Sequence, residues 1–320
     1  MSKSTDGPFF LAYRAFGKPF RLPINSERFE ALKEAWNNLT HFAHIEEGWA
    51  AIVQNYMELE KALIQAALRD MVVSELDYFI FQERRLDFGV RLSNLLNSCR
   101  AYLDHTPQNL GSITPRQPYA DEFKALANVE YDKRFGYRFM EALRNHAQHC
   151  GLPIHSTQYN SAWVEGGESG MLGHSVATHV SLDILRRNKN FKLSVIEDVS
   201  EDSLHAEPLV RDYLEGLSAV HVGMRERLAE PFQAAGETIR EAIADYIAAS
   251  EDSDAHAIYA IELAPPNTWL QQVPLIDELI QTTEKLRRKN RPMVNLKRRF
   301  VTSSTDPIKR KGSSVGGGVA

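Results

Sequence analysis

Cysteine is scarce in this chain of 320 residues, which contains only Cys99 and Cys150. Two cysteines cannot build a disulfide framework or a four-cysteine zinc site, so we expect a protein of the reducing cytoplasm. Long apolar runs are also lacking, because none approaches the roughly 18 residues of a membrane-spanning helix. The first residues carry too few apolar side chains to predict a signal peptide. The remaining composition, 43% hydrophobic and 25% charged, is that of a soluble globular protein and excludes collagen-like and wholly disordered chains.

Charge is distributed unevenly along the chain, although the formal net charge is only -5. From Lys285 to the end, eleven Lys and Arg stand against the single Asp306. This segment therefore carries about +10, and the residues before it carry about -15. A basic segment on an acidic body favours an anionic partner, and a solvated tail that only improves solubility is the alternative.

The spacing of apolar residues predicts a mainly α protein with an attached, smaller α+β region. Helical spacing dominates the first half of the chain, whereas strand-like alternation appears after Pro153. The predicted parts are an N-terminal arm or strand at 1–25, a helical bundle at 26–153, an α+β region at 154–284 and a basic, partly disordered tail at 285–320.

Within these parts, caps and breakers predict the individual elements. Asn25, Ser26 and Glu27 supply the start of the first helix, and Gly151 and Pro153 are typical of a helix end. In the bundle we expect further helices over about 74–105 and 120–150, separated by a loop through Pro107 and Pro118. In the α+β region we expect a hairpin connection at 166–170, strands at 175–184, 191–196 and 255–263, and helices at about 203–249 and 274–289.

The helix that ends near Cys150 separates into two faces when it is projected at about 100° per residue. An arginine, an amide and an imidazole converge on its last turns, since Arg144 and Asn145 are adjacent and Asn145 and His149 are four residues apart. His146 lies at the edge of the apolar face and is expected to be a core histidine. The apolar side contains Phe135, Phe139, Ala142, Leu143, Ala147 and Cys150. The polar side contains Tyr137, Arg138, Glu141, Arg144, Asn145, Gln148 and His149.

The segment Arg144-Asn145-His146-Ala147-Gln148-His149 resembles the motif of the HEPN superfamily (higher eukaryotes and prokaryotes nucleotide-binding). That motif is an Arg, commonly followed by a polar residue, and then a His after four to six residues. It usually lies in the C-terminal part of a long helix of a helical bundle, and the predicted position here agrees. The resemblance covers the helical half of the chain only.

The resemblance implies a HEPN-like bundle and a metal-independent endoribonuclease without a cofactor. It implies that Arg144, Asn145 and His149 are the catalytic residues, that RNA is the substrate, and that two protomers form a homodimer lining one cleft. Toxins and phage-defence effectors are among the functions it suggests, with an antitoxin or regulatory protein as a partner. The alternatives are a non-catalytic, dimeric nucleotide- or RNA-binding protein, and a helical scaffold in which the motif is accidental.

The chemistry suits these residue types. RNA carries its own nucleophile, the 2′-hydroxyl, so cleavage needs a proton-transfer group such as the imidazole of His149 rather than a metal-bound hydroxide. The guanidinium of Arg144 can stabilise the charge that develops on the phosphate oxygens. Asn145 would orient the phosphate or the imidazole. The products would be a 2′,3′-cyclic phosphate and a 5′-hydroxyl.

A second match to the same spacing runs from Arg100 to His105, with Ala101 where the first match has a polar residue. Here Arg100 and Asp104 can form an ordinary ion pair. The helix that contains this match carries a stripe of polar and small residues, which is expected to pack beside the Arg144 face. An inter-helix seam without catalytic function is the alternative. The predicted supporting residues are Asn94, Ser98, His105, Glu141 and Gln148.

Two further predictions concern binding. The basic segment is expected to bind the RNA phosphates through Arg287, Arg288, Arg291, Lys297, Arg298 and Arg299. No metal site is expected, because His174 and His179 lie on opposite faces of a predicted strand. Both cysteines are expected to be buried thiols on apolar helix faces.

Overall fold

The computed structural model describes residues 8–13, 20–73, 77–163, 170–250, 257–264 and 268–302. Within these ranges the chain forms eight α-helices and seven β-strands, and helices take up 67% of the described residues. The predicted fold class, mainly α with a smaller α+β part, is therefore confirmed. Among the helices of these ranges, none combines the length and apolar content that crossing a bilayer requires.

The helices and strands have the following bounds. The helices are α1 (Ser26–Val73), α2 (Tyr78–Gly111), α3 (Tyr119–Lys133), α4 (Phe135–His149), α5 (Leu182–Arg187), α6 (Ala206–Arg227), α7 (Ala229–Ser250) and α8 (Asp277–Lys289). The strands are β1 (Phe9–Tyr13), β2 (Arg21–Pro23), β3 (Ser156–Trp163), β4 (Leu172–Ser181), β5 (Ser203–His205), β6 (Ile258–Ala264) and β7 (Thr268–Leu275).

The chain divides into two compact units, each assembled from three stretches of sequence. Unit 1 comprises Met1–Val53, Ser98–Glu130 and Leu217–Pro292, and unit 2 comprises Gln54–Asn97, Tyr131–Gly216 and Met293–Ala320. The helices α1 and α2 contribute one part to each unit. The four parts predicted from the sequence are continuous, whereas each unit is discontinuous.

Unit 1 combines a sheet with helices. Its four antiparallel strands have the order β2-β1-β6-β7, and Leu11 lies opposite Ala260 in the register. The side chain of Asn25 caps α1 as predicted, because its Oδ1 accepts a hydrogen bond of 2.8 Å from the backbone N–H of Arg28. The core of the unit is formed by large buried side chains that include Phe29, Leu32, Leu39, Trp49, Phe123, Ile239 and Tyr246.

Unit 2 contains the three-stranded antiparallel sheet β3-β4-β5 and helix α4. On β4 and β5, His179 and His205 are directly paired, and their ring centroids lie 4.3 Å apart. Tyr137 of α4 packs edge-on against Tyr213 of α6 at 4.9 Å. Burial of the apolar face of α4 on the rest of the unit fixes this helix, and with it the predicted site.

The helix predicted over 120–150 is in fact two helices, α3 and α4, which meet at Arg134. The backbone of Arg134 is extended, with φ -114° and ψ 121°. This conformation lets its guanidinium contact Asp212 at 3.2 Å and Glu215 at 3.4 Å. Asp212 also accepts a hydrogen bond of 2.9 Å from the N–H of Gly136, so a carboxylate stands at the start of α4. These tertiary contacts stabilise a break that helical periodicity does not show.

The loop predicted between 105 and 120 is present but begins later than expected, because α2 continues through Pro107 to Gly111 and the chain is irregular over 112–118. Proline in a helix removes one backbone hydrogen bond. Side chains of the same turns add others, since Gln108 donates to the Asp104 carbonyl at 3.3 Å and Asn109 donates to the His105 carbonyl at 3.1 Å. Thr106 and Leu110 are buried, so packing on the core holds this last turn of the helix.

In the second half of the chain, the strands predicted at 175–184 and 255–263 are present with shifted bounds, whereas other predicted elements differ in type or number. The helix predicted over 203–249 consists of β5, α6 and α7, and the strand predicted at 191–196 contains the short 3₁₀ helix Leu193–Val195. Pro208 and Pro231 each lie in the first turn of a helix, where proline is common. These two prolines are the sequence signals for the separate starts of α6 and α7. Strand β4 ends at Ser181, where α5 begins, and β7 was not predicted. Most of the predicted hairpin connection at 166–170 lies outside the described residues.

Candidate functional site

The start of α4 is held by close packing that requires a glycine. A Cβ atom at Gly136 would lie only 2.6 Å from the Cβ of Asp212 and 2.7 Å from the Leu209 carbonyl oxygen. Helix α4 can therefore approach α6 only because this position has no side chain. The contact orients α4 so that Phe139, Met140 and Leu143 are buried.

Arg144 lies half-buried on the polar face of α4. Its Nη1 donates a hydrogen bond of 3.1 Å to Oδ1 of Asn145. Its Nε–H is buried and has no hydrogen-bond partner among the described residues. A buried donor without a partner is rare in folded proteins. This N–H can therefore donate to an acceptor of a ligand, and the Nη1 contact turns the amide group of Asn145 so that its NH₂ points away from the guanidinium.

The other polar residues of the last two turns of α4 face solvent. Asn145, Gln148 and His149 are exposed, and Gln148 Nε2 lies 3.5 Å from Oδ1 of Asn97 on α2. Thus α2 runs beside the polar face of α4 at this point. Asn94 is one turn earlier on α2 and is also exposed.

His146 is a core histidine, as the sequence predicts. It is 4% exposed, and its Nδ1 accepts a hydrogen bond of 2.9 Å from the Asn188 side chain. Burial lowers the pKa of His146. The ring of His155 lies edge-on at 5.7 Å, and burial together with the charges of His146 and Arg85 lowers the pKa of His155 to about 4. His149 is therefore the histidine of the motif that can meet a substrate.

Two assignments on α4 are corrected by the structure. Tyr137, placed on the polar arc, is 2% exposed because it packs between Tyr131 and Tyr213. Cys150, expected to be buried, is exposed because α4 has ended at His149, whereas Cys99 is buried as predicted. Glu141 accepts a hydrogen bond from the Tyr213 hydroxyl, so this predicted supporting residue is anchored from within unit 2.

Two predicted supporting residues belong to unit 1 instead. Ser98 and His105 line a groove with a cavity volume of about 520 Å³. The same groove is lined by His41 and His44 of α1 and by Asn109 of α2. His105 was predicted from its sequence motif, whereas His41 and His44 were not, although they lie three residues apart on one face of a helix. Arg144, Asn145 and His149 are not among the residues that line this groove.

Some basic side chains of this segment pair with carboxylates of the protein, and others face solvent without such a pair being described. In unit 1, Arg287 is half-buried, with its Nε 3.8 Å from Glu46 and its guanidinium over the ring of Phe232. In unit 2, Lys297 pairs with Asp212 at 3.1 Å. The helix predicted over about 274–289 is present as α8, which ends at Lys289 and is followed by the short 3₁₀ helix Leu296–Arg298. The remaining arginines of the predicted set, which are exposed, are Arg288, Arg291, Arg298 and Arg299.

One further cluster brings together a serine, a histidine and an aspartate without forming a catalytic relay. In unit 2, Ser161 Oγ lies 3.1 Å and Asp70 Oδ2 lies 3.0 Å from the same atom, Nδ1 of His174. In a relay, the two partners would contact different ring nitrogens. No group of three or more His, Cys, Asp or Glu that could hold a metal ion occurs in the described ranges.

Comparison with protein-family models, curated proteins and solved structures finds no match to this chain.

Proposed function

We propose that this protein is a metal-independent endoribonuclease of the HEPN type, which cleaves RNA by attack of the 2′-hydroxyl on the adjacent phosphodiester. The observation that carries the proposal is the state of Arg144, whose buried Nε–H has no hydrogen-bond partner among the described residues. It lies little more than one turn before the exposed His149. A guanidinium N–H without a partner and an exposed imidazole on the same end of one helix are suited to a phosphate ester whose reaction requires proton transfer.

Each residue has a distinct task in this mechanism. His149 accepts the proton of the 2′-hydroxyl as the oxygen–phosphorus bond forms and the bond to the 5′-oxygen breaks. Arg144 donates to the phosphate oxygens, where negative charge accumulates. Because Asn145 Oδ1 accepts from Arg144, its NH₂ group is left to bind a second phosphate oxygen. The 5′-oxygen leaves as a hydroxyl and the other product is a 2′,3′-cyclic phosphate.

The proposed assembly is a homodimer through an exposed stripe of α2. Leu86 and Val90 are 50% and 43% exposed, and they continue along the same face into Asn94 and Asn97. Asn97 contacts Gln148 of α4, so this stripe leads directly to the proposed site within unit 2. A two-fold axis would let the stripe meet its own copy and bury both apolar side chains. Sedimentation of the 36.3 kDa chain is expected to give the mass of a dimer.

The experiment that tests the activity is cleavage of a labelled RNA by the purified chain in excess EDTA, beside the same sequence with 2′-deoxyribose. We expect cleavage of the RNA in chelator and none of the deoxy strand, because the nucleophile belongs to the substrate. Loss of RNA cleavage in EDTA would contradict this mechanism. Binding of both strands without cleavage would favour the alternative, a dimeric nucleotide- or RNA-binding protein.

The basic segment is proposed to add affinity through its four exposed arginines. Replacing Arg288, Arg291, Arg298 and Arg299 by Ala should reduce the salt dependence of RNA binding, with a slope smaller by about 2 to 3, because each phosphate contact on a single strand releases roughly 0.7 counterions. Turnover at saturating RNA should change little.

The measurement is the dissociation constant for RNA over a range of salt concentrations. Substitution is preferable to truncation after Glu284, since truncation would also remove Arg287 and Lys297, which are bound to Glu46 and Asp212. The matched control replaces the exposed Lys124 and Lys189 by Ala. Equal slopes for the arginine variant and the wild type would leave the segment with a solubilising role only.

A further inference from the structure

The groove of unit 1 is a concave site whose lining includes three histidines. His41 and His44 of α1 and His105 of α2 line a cavity of about 520 Å³, a size within the usual range for small-molecule sites. His44 and His105 are exposed and His41 is half-buried. These imidazoles come from two helices of the same unit, so their convergence is a product of folding.

The orientation of the His41 ring, and the tautomer of its neutral form, are set by a neighbouring amide. The Nδ2 of Asn109 donates to the carbonyl oxygen of His105 at 3.1 Å. Its Oδ1 therefore faces His41, whose Nδ1 lies 2.9 Å away and must donate to it. In the neutral ring this leaves a lone pair on Nε2, and in the protonated ring it leaves an N–H there. His41 is thus held in one orientation with its second nitrogen available for a ligand.

The spacing of the rings suits a phosphate group. The ring centroids of His41 and His44 lie 6.2 Å apart, with an angle of 84° between the ring planes. Each N–H···O hydrogen bond to a charged oxygen spans roughly 2.8 Å. This separation leaves room for the oxygens of one tetrahedral group to accept hydrogen bonds from both rings.

The groove supplies no negative charge of its own to pair with protonated imidazoles. Its described lining residues include neither Asp nor Glu, and neither Lys nor Arg. Asp104, which precedes His105, is bound to Arg100 with a distance of 2.9 Å between Oδ2 and Nε. An anion in the groove therefore meets no carboxylate of the described lining, and the nearby carboxylate of Asp104 is already paired with Arg100.

The groove is larger than a phosphate group requires. Small residues, Gly48, Ala51 and Ala101, line it beside the histidines. The remaining volume of the groove can accept a flat ring, and the exposed imidazole of His105 offers a stacking partner for a base. A phosphate site next to a stacking site fits a ligand that carries both groups.

We propose that this groove binds a nucleoside phosphate, either free or as one nucleotide of an RNA strand, with the phosphate on the imidazoles of His41 and His44 and the base beside His105. The site is separate from the proposed cleavage residues, and its occupation requires no cleavage.

The test measures binding of AMP, adenosine, inorganic phosphate and a short oligoadenylate to the full chain by calorimetry. We expect AMP to bind at least about tenfold more tightly than adenosine or phosphate alone, because only AMP fills both parts of the groove. The combined His41→Gln and His44→Gln variant should weaken AMP binding by at least about tenfold. The His205→Gln variant, in which an exposed histidine outside the groove is changed, should bind AMP as the wild type does.

The remaining measurements distinguish a free nucleotide from RNA as the ligand and test whether the groove variant is folded. Displacement of AMP by the oligoadenylate would identify RNA as the source, and failure to displace it would identify a free nucleotide. An unchanged thermal midpoint of the groove variant shows that it is folded. Equal AMP affinity in the wild type and the groove variant, or no binding of AMP by the wild type, would overturn the proposal. A His149→Ala variant should still bind AMP in the groove, so failure of the cleavage proposal would remain distinguishable.

Discussion

The His149→Ala variant is expected to cleave RNA at least about 10²-fold more slowly than the wild type at saturating substrate. The imidazole of His149 is exposed at the end of α4, whereas His146 is buried against Asn188 and cannot replace it. Loss of the proton acceptor should therefore lower turnover while RNA binding is retained. Arg144→Lys should also reduce turnover, because an ammonium keeps the charge but lacks the forked donors of a guanidinium.

The measurement is the single-turnover rate on a labelled RNA, with affinity determined separately. The control is His205→Ala, which removes an exposed histidine from β5 without changing α4. Its rate should equal that of the wild type. A His149→Ala variant that cleaves at the wild-type rate would remove His149 from the mechanism, and retained activity in Arg144→Lys would show that only positive charge is needed.

Glu46→Gln is expected to destabilise the fold of unit 1 by about 3–5 kcal/mol, the usual effect of removing one partner of a buried ion pair. Glu46 is 4% exposed and accepts hydrogen bonds from Nε and Nη2 of Arg225, the first at 2.8 Å. Arg287 lies 3.8 Å from the same carboxylate, and His221 lies 3.4 Å from it. The amide keeps the shape of the side chain but leaves the two guanidinium charges without a compensating charge.

The same carboxylate predicts a dependence of stability on pH. Burial raises the pKa of Glu46, but His221 and Arg225 outweigh this effect and lower the pKa to about 2 from 4.5. Because the unfolded chain binds this proton more readily, the contribution is complete above pH 4.5 and is lost as the pH falls towards 2. The Glu46→Gln variant should lack this component.

Urea unfolding at several pH values measures both effects. Glu47→Gln is the matched control, since Glu47 is the next residue of α1 and is exposed. Its urea midpoint should stay close to that of the wild type. Equal midpoints for Glu46→Gln and Glu47→Gln at neutral pH would contradict the prediction, because they would show that the Glu46 carboxylate is not needed to balance the charges of Arg225 and Arg287.

Local sequence signals determined the elements whose ends depend on neighbouring residues. Asn25 predicted the start of α1, and its side chain accepts the expected backbone hydrogen bond. Gly151 and Pro153 predicted the end of α4, which the structure gives as His149. The spacing of apolar and polar residues on α4 predicted the burial of Phe139, Leu143 and His146 and the exposure of Asn145 and His149, because a helix fixes which side chains share a face. The functional assignment of this face stays a prediction.

Only the tertiary structure decided the features that depend on residues distant in sequence. The break at Arg134 follows from Asp212 and Glu215, about 80 positions away, and helical periodicity carries no record of such a contact. The groove unites His41 and His44 with His105 because α1 and α2 pack together, although each histidine alone resembles an ordinary surface residue. Arg287 became part of the Glu46 cluster through the same kind of contact. Sequence pattern thus defined the faces of single helices, whereas packing between helices decided which charges and imidazoles meet.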